Sequence, residues 1–428
     1  MKNYKHVHRK GVLQRFVQTI ALGMVVMMLY ACAAPAIPFA FEEADQYFYQ
    51  QTIRSLQTPM AESAQEYFFC VQPLSKWEYG RDTYIYARAK KGNRARVVCN
   101  KPGCPHGRPA EDYVPCNALF DNDEVATLKY YDGALYATTF SRSAPKSKLY
   151  RIAIDGSGSQ YLGEVSGNAL VIHRGFLYTV LDHYRYPFGS YAFESPPWEE
   201  VGLWRYDLSD LAKPPDALFQ DPAQRGYSSP FVTQAIAMGD QLFFTSYARY
   251  GIGPSNLFKH DLSTGETREI FTRLLNTFTP FGEDGFVLQR TGDDYKYTPA
   301  LIDLDGNVLW QIDALTTDTF DKIFTAPNCP YILFDNSQAR SDAVRRGWDD
   351  PAQWPPYEIY VYNAQGEHVN TLTLGYPENT RALIALTPDQ LLFYGEKAAG
   401  ASYAPILSLR VSELAQRNPK SEVFFHYQ

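Results

Sequence analysis

A strand–turn–strand pattern recurs along most of the chain, and it constrains the fold more than any other feature of the sequence. In each copy an apolar strand reaches a tight polar turn, and a second strand rich in aromatic residues follows. The first turns fall at residues 132, 174, 239, 284 and 389, with a Pro-Asn-Cys-Pro counterpart near 329. The shortest spacings are 42 and 45 residues, which indicates a tandem array of one small structural unit.

Each copy continues into a third strand and a second turn that contains glycine. The third strands begin near Leu149, Leu203, Leu257, Ala300 and Ile359, and the second turns contain Gly156, Gly265, Gly306 and Gly366. Turns of this kind between alternating strands predict hairpins. A short fourth strand completes a unit of about 40–45 residues, which is the period of a propeller blade.

One such unit cannot bury both of its faces, so stacking around a channel is the expected solution. The sequence therefore predicts an all-β chain that folds as a β-propeller. A weaker unit over residues 67–98 brings the number of four-stranded blades to seven, with six or eight left open. An aromatic content of 15%, with 32 tyrosines, also favours strands. A pair of β-sandwiches or a β-solenoid would not produce this four-strand rhythm.

The N-terminus reads as an export signal. Its basic residues are Lys2, Lys5, Arg9, Lys10 and Arg15. The apolar run 16–30 is shorter than the roughly 20 residues of a membrane span, but it suits the hydrophobic region of a signal peptide. The run ends at Ala31 and Cys32, which resemble a bacterial lipobox, although Tyr30 stands where that motif prefers a small residue. The resemblance implies a diacylglycerol thioether on Cys32.

Two alternatives to lipidation remain at this point, namely ordinary signal cleavage that releases the protein and an uncleaved anchor helix. The predicted organisation is a signal at 1–31, a lipidated N-terminus and tether at 32–65, and the propeller at 66–428. The expected location is the extracytoplasmic face of the cell membrane. Cleavage of the signal would remove basic residues and no acidic ones. The mature chain would therefore be more acidic than the whole sequence, whose formal net charge is −7. That charge argues against nucleic-acid binding.

Two stretches carry a family resemblance, Tyr-Asp-Gly-Ala-Leu-Tyr at 131–136 and Leu-Tyr-Arg-Ile-Ala-Ile-Asp-Gly at 149–156. They look like the TolB-like and quinoprotein-type repeats of bacterial surface lipoproteins, over roughly residues 66–425. The resemblance implies a β-propeller. Only residues 301–310 come close to a quinoprotein blade, and one copy does not form a cofactor-binding ring, so no quinone is expected.

Longer insertions lie between the second and third strands of four units, at 182–200, 246–255, 336–356 and 395–405. In a propeller these loops project from one face together with the connections between blades. Among the aromatic residues of these loops are Tyr184, Tyr186, Tyr191, Trp198, Tyr247, Tyr250, Trp348 and Trp354. Such side chains, interleaved with charged ones, suit an extended peptide or a glycan. They are also the residues that would pack the loops internally.

A cluster of cysteines follows the first unit and is expected on the same face. Three cysteines and one histidine, Cys99, Cys104, His106 and Cys116, have the ligand types of a closed tetrahedral zinc site. Disulfides are the competing interpretation in an exported chain. In that case Cys70 takes part in one of two bridges and Cys329 stays buried and free.

The sequence carries no Gly-x-Ser-x-Gly elbow, no His-Glu-x-x-His and no phosphate loop. The recurring Asp207, Asp261 and Asp303 are interpreted as hydrogen-bonding groups at strand ends. The favoured function is binding of a glycan, a peptide or an envelope protein. A hydrolase or lyase with a carboxylate pair at the channel mouth and a purely structural envelope protein are the alternatives.

Overall fold

A computed structural model describes residues 60–71, 83–92, 94–104, 106, 116–120, 124–140, 146–181, 202–219, 231–247, 255–282, 285–291, 297–315, 320, 322–326, 329–336, 354–374, 383–395 and 405–425. The chain divides into two compact units, 1–42 and 43–428, and all described residues belong to the second. No helix within these ranges is long and apolar enough to cross a membrane. The signal, Cys32 and most of the predicted tether lie outside them.

The described residues form antiparallel sheets whose strand order follows the chain. The first sheet contains β1 (Met60–Glu62), β2 (Glu66–Val71), β3 (Thr83–Ala89) and β4 (Ala95–Val97), and β5 (Leu119–Phe120) pairs with β3. The second contains β6 (Glu124–Tyr131), β7 (Ala134–Phe140), β8 (Lys146–Ala153) and β9 (Ser159–Ser166). The third contains β10 (Asn168–His173), β11 (Phe176–Leu181), β12 (Gly202–Asp207) and β13 (Asp216–Phe219).

The fourth sheet has seven strands. It contains β14 (Phe231–Met238), β15 (Gln241–Tyr247), β16 (Ser255–Asp261), β17 (Thr267–Phe281), β18 (Gly285–Thr291), β19 (Tyr297–Asp303) and β20 (Val308–Gln311). The 15-residue β17 pairs with β16 up to Leu274, and from Leu274 onward it pairs with β18. It therefore serves as the fourth strand of one four-stranded unit and as the first strand of the next.

Two four-stranded sheets complete the described structure. One contains β21 (Lys322–Phe324), β22 (Tyr331–Asp335), β23 (Tyr357–Asn363) and β24 (His368–Leu374). The other contains β25 (Leu383–Leu386), β26 (Gln390–Tyr394), β27 (Ile406–Arg410) and β28 (Glu422–Phe425), with a short 3₁₀ helix (Val411–Glu413) after β27. With the long sheet divided at β17, the described residues contain seven successive four-stranded units.

The turns lie where the repeat predicts them, and their central residues have the left-handed backbone that Asp-Gly and Arg-Gly turns adopt. Asp132 and Gly133 have φ of 45° and 71°, and Arg174 and Gly175 have φ of 50° and 81°. Two successive residues with positive φ form the type I′ turn that matches the twist of a hairpin. The predicted third strands are likewise confirmed as β8, β12, β16, β19 and β23.

The first sheet begins earlier than predicted. Residues 60–62 form β1, which pairs with β2 through Met60 and Phe69, although the sequence assigned residues 32–65 to the tether. Met60, Ala61 and Glu62 are all buried. Three residues are too few to show the alternation that reveals a strand, so the sequence pattern passes over this one.

Consecutive four-stranded units pack face to face through apolar side chains. Phe243 of β15 meets Phe286 of β18 with ring centroids 4.7 Å apart, and Leu333 of β22 shares a core with Leu391 of β26. Tyr67 of the first sheet shares a core with residues of the last sheet, among them Phe424. The succession of packed sheets thus returns to its start, as blades do around a propeller axis.

A second contact recurs between neighbouring units. The turn between the third and fourth strands of one unit lies against the outer strand of the unit before it. Trp310 of β20 donates from Nε1 to the carbonyl of Ala364, 2.9 Å away, in the turn between β23 and β24. A Cβ on Gly366 of that turn would lie 3.2 Å from the Trp310 ring. A side chain there would crowd the ring, and the φ of 77° at Gly366 also favours glycine.

Candidate functional site

The cysteine cluster is assembled beside β3. Val98, just after β4, donates to the carbonyl of Ile85 at 2.9 Å, and Ile85 donates to the carbonyl of Ala118 at 3.0 Å. Because β2 pairs along the other edge of β3, the segments that carry Cys99 and Cys116 meet on one edge of β3, at Ile85.

A tight turn supplies the next ligand. The Cys104 amide donates to the carbonyl of Lys101 at 3.2 Å, and Gly103 between them has φ of 73°. Proline followed by a left-handed glycine is the composition of a type II turn. The turn folds Cys104 back toward Cys99, as the Pro-Gly pair predicts.

The four predicted ligands converge. The Sγ atoms of Cys99, Cys104 and Cys116 and a ring nitrogen of His106 all lie within 4.8 Å of one another. The distance from Cys116 Sγ to His106 Nδ1 is 3.9 Å. With a Zn–S bond of about 2.3 Å, the edges of a tetrahedral site measure about 3.7 Å. The cluster is therefore close to the size that a tetrahedral ion requires.

The surroundings of Cys99 favour its thiolate form. Burial of Cys99 favours the neutral thiol, but the backbone N–H groups of Lys101 and Asn117 and the thiols of Cys116 and Cys104 donate to its sulfur. Their combined effect lowers the pKa of Cys99. Burial, together with the neighbouring Cys104 and Cys99 sulfurs, raises the pKa of Cys116. Neighbouring sulfurs thus hold one negative charge readily and resist a second.

The loop that carries the cluster is docked on the second sheet. The Asn100 amide and the Asn117 side-chain amide both donate to the carbonyl of Gly156, at 3.1 Å and 2.8 Å. A Cβ on Gly156 would lie 2.7 Å from Cys99 Cα and N. Gly156 belongs to the turn between β8 and β9, which leaves its sheet opposite the second-to-third-strand loops. The cysteine cluster therefore lies at the border between the first two units, where its loop contacts the turn at Gly156.

The remaining cysteines lie outside this group. Cys70 of β2 is fully buried in the core of the first two sheets, and Cys329 is buried before β22 and donates to the carbonyl of Tyr331 at 3.5 Å. All five described cysteines are free thiols.

The strand boundaries confirm where the insertions fall. Residues 182–201, 248–254, 336–356 and 395–405 each connect the second strand of a unit to its third. Because strands alternate in direction, these connections leave from the same end of each sheet as the links between units. We call this the insertion end. The aromatic residues predicted there, Tyr184, Tyr186, Tyr191, Trp198, Tyr250 and Trp348, lie outside the described residues.

Two predicted face residues fall within the described ranges. Tyr247 is the last residue of β15 and pairs with Phe231 and Ser255. Trp354 precedes β23 and is 9% exposed, so this ring is buried.

The sequence did not predict a cleft of about 520 Å³ at the insertion end, beside the point where β17 passes between units. Its lining includes Phe271, Arg273, Arg290, Thr291, Thr298 and Gln311. Arg290 and Thr291 end β18, and Thr298 lies near the start of β19. Arg273 has φ of 61°, a left-handed conformation that is uncommon outside glycine. Arginine and threonine are ordinary in strands, so no sequence signal marks this set.

The chemistry of the cleft suits an acidic group. Arg290 Nη1 donates to Gln311 Oε1 at 3.2 Å, which leaves further N–H groups of the guanidinium for a ligand. The Thr291 hydroxyl is buried, and no hydrogen-bond partner for it lies among the described residues. Glu269 also lines the cleft, and Asn256 donates to its carboxylate at 2.8 Å. Among the described residues that line the cleft, two are arginines and one is a carboxylate.

The recurring aspartates have the structural role predicted for them. Asp261 Oδ1 accepts from the amide and the hydroxyl of Ser263, at 2.9 Å and 2.6 Å. Asp207 and Asp303 make equivalent bonds in their own turns. The pKa is lowered at five described carboxyl groups, namely Asp155, Asp207, Asp261, Asp303 and Asp305. A proton-donating carboxylic acid would need the opposite shift.

No protein-family model matches the sequence, and no curated protein matches it either. Solved structures do resemble the chain. A prolyl endopeptidase is 12% identical with a TM-score of 0.53, and the match covers 89% of this chain and 52% of that one. The β-propeller domain of the Trilobed protease from Pyrococcus furiosus is 10% identical with a TM-score of 0.48, and the match covers 86% and 97%. TolB from Acinetobacter baumannii is 10% identical with a TM-score of 0.38, and the match covers 71% and 62%.

Of these three, the prolyl endopeptidase has the likeness that carries weight, and at this identity it shows the fold alone. The chain spans about half the length of that peptidase. Together with the closed succession of four-stranded units, the likeness identifies the described structure as a β-propeller.

Proposed function

We propose that this protein is a lipid-anchored, extracytoplasmic β-propeller of seven blades that binds a carboxylate-bearing peptide segment at its insertion end. The observation that carries the proposal is the cleft beside β17. There Arg273, Arg290 and Thr291 help to line a space of about 520 Å³. Pockets of this size hold small ligands or a few residues of a larger one.

The residues that line the cleft favour a peptide over a glycan. Besides Glu269 and Gln311, its polar side chains are guanidinium and hydroxyl donors, which pair with carboxylates, and its apolar surface comes from Ile270, Phe271 and Val308. Among the described lining residues there is no tyrosine or tryptophan of the kind that forms a platform for sugar rings. The prolyl endopeptidase with the similar fold acts on peptides, which makes peptides the first ligands to test.

The test uses two pools of fluorescein-labelled pentapeptides with blocked ends, randomised except for a central glutamate or glutamine. Bonds to a charged group are worth about 1.5–3 kcal/mol, so the full-length chain in detergent should bind the glutamate pool about tenfold more tightly. Fluorescence anisotropy measures both affinities. Equal affinity for the two pools, or no binding of either, contradicts the proposal.

Variants locate the binding. Arg290→Gln should abolish the preference for glutamate, and Thr291→Val, which keeps the side-chain shape, should weaken binding of both pools. The matched control is Arg410→Gln, since Arg410 is an exposed arginine at the end of β27 where the third-to-fourth turn begins. It should leave both affinities unchanged. If Arg410→Gln reduced the preference for glutamate as much as Arg290→Gln does, the net charge of the protein alone would explain the binding.

The insertion loops are expected to extend the binding surface with the aromatic residues of 182–200 and 336–356. Shortening either loop should weaken peptide binding while Arg290 keeps its preference for glutamate. Mass spectrometry of the peptides after incubation separates binding from catalysis. Intact peptides agree with a binding protein, and cleaved ones assign a peptidase activity instead.

Lipid anchoring rests on the basic segment, the apolar run 16–30 and Cys32. We expect mass spectrometry of the mature N-terminus to find diacylglycerol and an acyl chain such as palmitate on Cys32. An unmodified N-terminus beyond Cys32 would show a released protein instead. The peptide proposal stands in either case, because it rests on residues 269–311 and not on the N-terminus.

A further inference from the structure

We propose that Cys99, Cys104, His106 and Cys116 bind one structural Zn²⁺ ion that fastens the link between the first two sheets to the turn between β8 and β9. The site lies apart from the peptide cleft, so this inference goes beyond the proposed function. Its first support is convergence, since four ligand atoms lie within 4.8 Å of one another. They come from three short segments that independent backbone hydrogen bonds hold in place.

The donor set selects the ion. Thiolate sulfur and imidazole nitrogen are ligands for zinc and other borderline or soft metals, whereas calcium and magnesium take oxygen. Three thiolates and one imidazole fill a tetrahedron with protein atoms. No position remains for a reacting water molecule, so the ion is structural and not catalytic.

The surroundings fit a metal-bound thiolate. Cys99 sulfur accepts from the backbone N–H groups of Lys101 and Asn117. Such bonds are the outer shell that orients a thiolate ligand and spreads its charge. They are set by the turn at Gly103 and by the start of β5, both of which are present without an ion.

The number and positions of the cysteines argue against disulfides. The cluster contains three thiols, so any bridge within it leaves the third sulfur beside the bridge and His106. The scheme with two bridges needs Cys70 as a partner, yet Cys70 lies fully buried on β2, outside the cluster. A metal uses all four groups, whereas a disulfide uses two of them.

The structural effect follows from what the loop contacts. Asn100 and Asn117 both donate to the Gly156 carbonyl, and each is the neighbour of a ligand cysteine. An ion that fixes Cys99 and Cys116 therefore fixes both donors against the second sheet. We expect zinc to protect this border from local opening.

The experiment purifies the full-length chain without reductant or added metal and determines its zinc by mass spectrometry. One zinc per chain is expected, and cobalt put in its place should give the absorption bands of a tetrahedral thiolate site. After chelation and denaturation, all five thiols, Cys70, Cys99, Cys104, Cys116 and Cys329, should react with a thiol reagent. Blocked thiols in a metal-free chain would overturn the site in favour of a disulfide.

Variants and hydrogen exchange complete the test. Cys116→Ser should lower zinc affinity by more than the roughly 10- to 100-fold that follows loss of an outer-shell partner. His106→Cys should retain zinc, and the control Cys329→Ala should retain it fully. Chelation should speed amide exchange in residues 98–104 and 153–158. Unchanged exchange in 153–158 with zinc removed would overturn the fastening role, even with the metal bound.

Discussion

Gly156 shows how much a single residue controls in this chain. Its φ of 80° favours glycine, and the space where a Cβ would lie is occupied by the backbone of Cys99 and Asn100. Gly133 provides a natural comparison, because its φ is 71° and no atom lies within 4 Å of its Cβ position. Both glycines have left-handed backbone, but only Gly156 is in close contact with another segment.

Gly133→Ala should therefore cost about 1 kcal/mol of folding free energy, the penalty of left-handed backbone. Gly156→Ala should cost about 1–3 kcal/mol more, since the cysteine loop has to move away from the turn. Urea unfolding measures both. Only the Gly156 variant should also lose zinc affinity. Equal costs would show that the contact between the loop and the turn contributes nothing.

Asp207, Asp261 and Asp303 make a pH-dependent contribution to stability. Hydrogen bonds from Ser209, Ser263 and Asn307 hold the pKa of these carboxyl groups below its ordinary value. The unfolded chain then binds protons at higher pH than the folded chain does. The stabilisation is complete above the unfolded pKa of about 3.9, and it is lost as pH falls through the lower folded pKa.

Replacing the three aspartates by asparagine removes this pH dependence and keeps the turns, because Asn363 already occupies the same position in its own unit. Its Oδ1 accepts from the amides of Gln365 and Glu367 at 3.0 Å and 2.9 Å. The triple variant should lose less stability between pH 5 and pH 3 than the unaltered chain. Urea midpoints at the two pH values report this, and parallel losses in the two chains would refute it.

At the scale of elements, the surroundings of β17 show which features the sequence predicts and which it does not. The hairpin turns and third strands are visible because their Asp-Gly pairs and apolar alternation act over a few residues. The cleft is not visible, because it arises where one strand leaves β16 for β18 and brings Arg273 beside Arg290. That proximity depends on register across strands, which composition does not encode.

The cysteine cluster is an intermediate case. Ligand types and the Pro-Gly turn predict that Cys99, Cys104, His106 and Cys116 come together, and the structure confirms their proximity. The sequence placed the cluster with the insertion loops, whereas its described contacts are with the turn at Gly156. That contact joins Asn117 to a residue 39 positions away, a distance over which a local pattern carries no information.

At the scale of the whole molecule, the packing of the last sheet on the first closes the succession of sheets. Phe424 of β28 is 1% exposed and meets the edge of Tyr67 with ring centroids 5.6 Å apart. The Arg88 guanidinium lies 4.0 Å from the centroid of the Phe424 ring. Val423 beside it is 53% exposed.

Phe424→Ala should lower the unfolding free energy by about 3–5 kcal/mol, because it empties a buried site at the closure. Val423→Ala should change it by less than about 0.5 kcal/mol, as expected for an exposed position. Thermal unfolding followed by circular dichroism compares the two. A mild effect of the Phe424 variant would mean that the first and last sheets do not depend on each other.

Peptide binding at the insertion end can be located by hydrogen exchange of the full-length chain, with and without the glutamate-centred peptide pool at saturating concentration. Binding in the cleft should slow exchange in residues 270–274 and 288–298, with the turns at 132–133 and 239–240 unchanged. Protection confined to those turns, or to the cysteine loop at 98–104, would place the binding site elsewhere and contradict it.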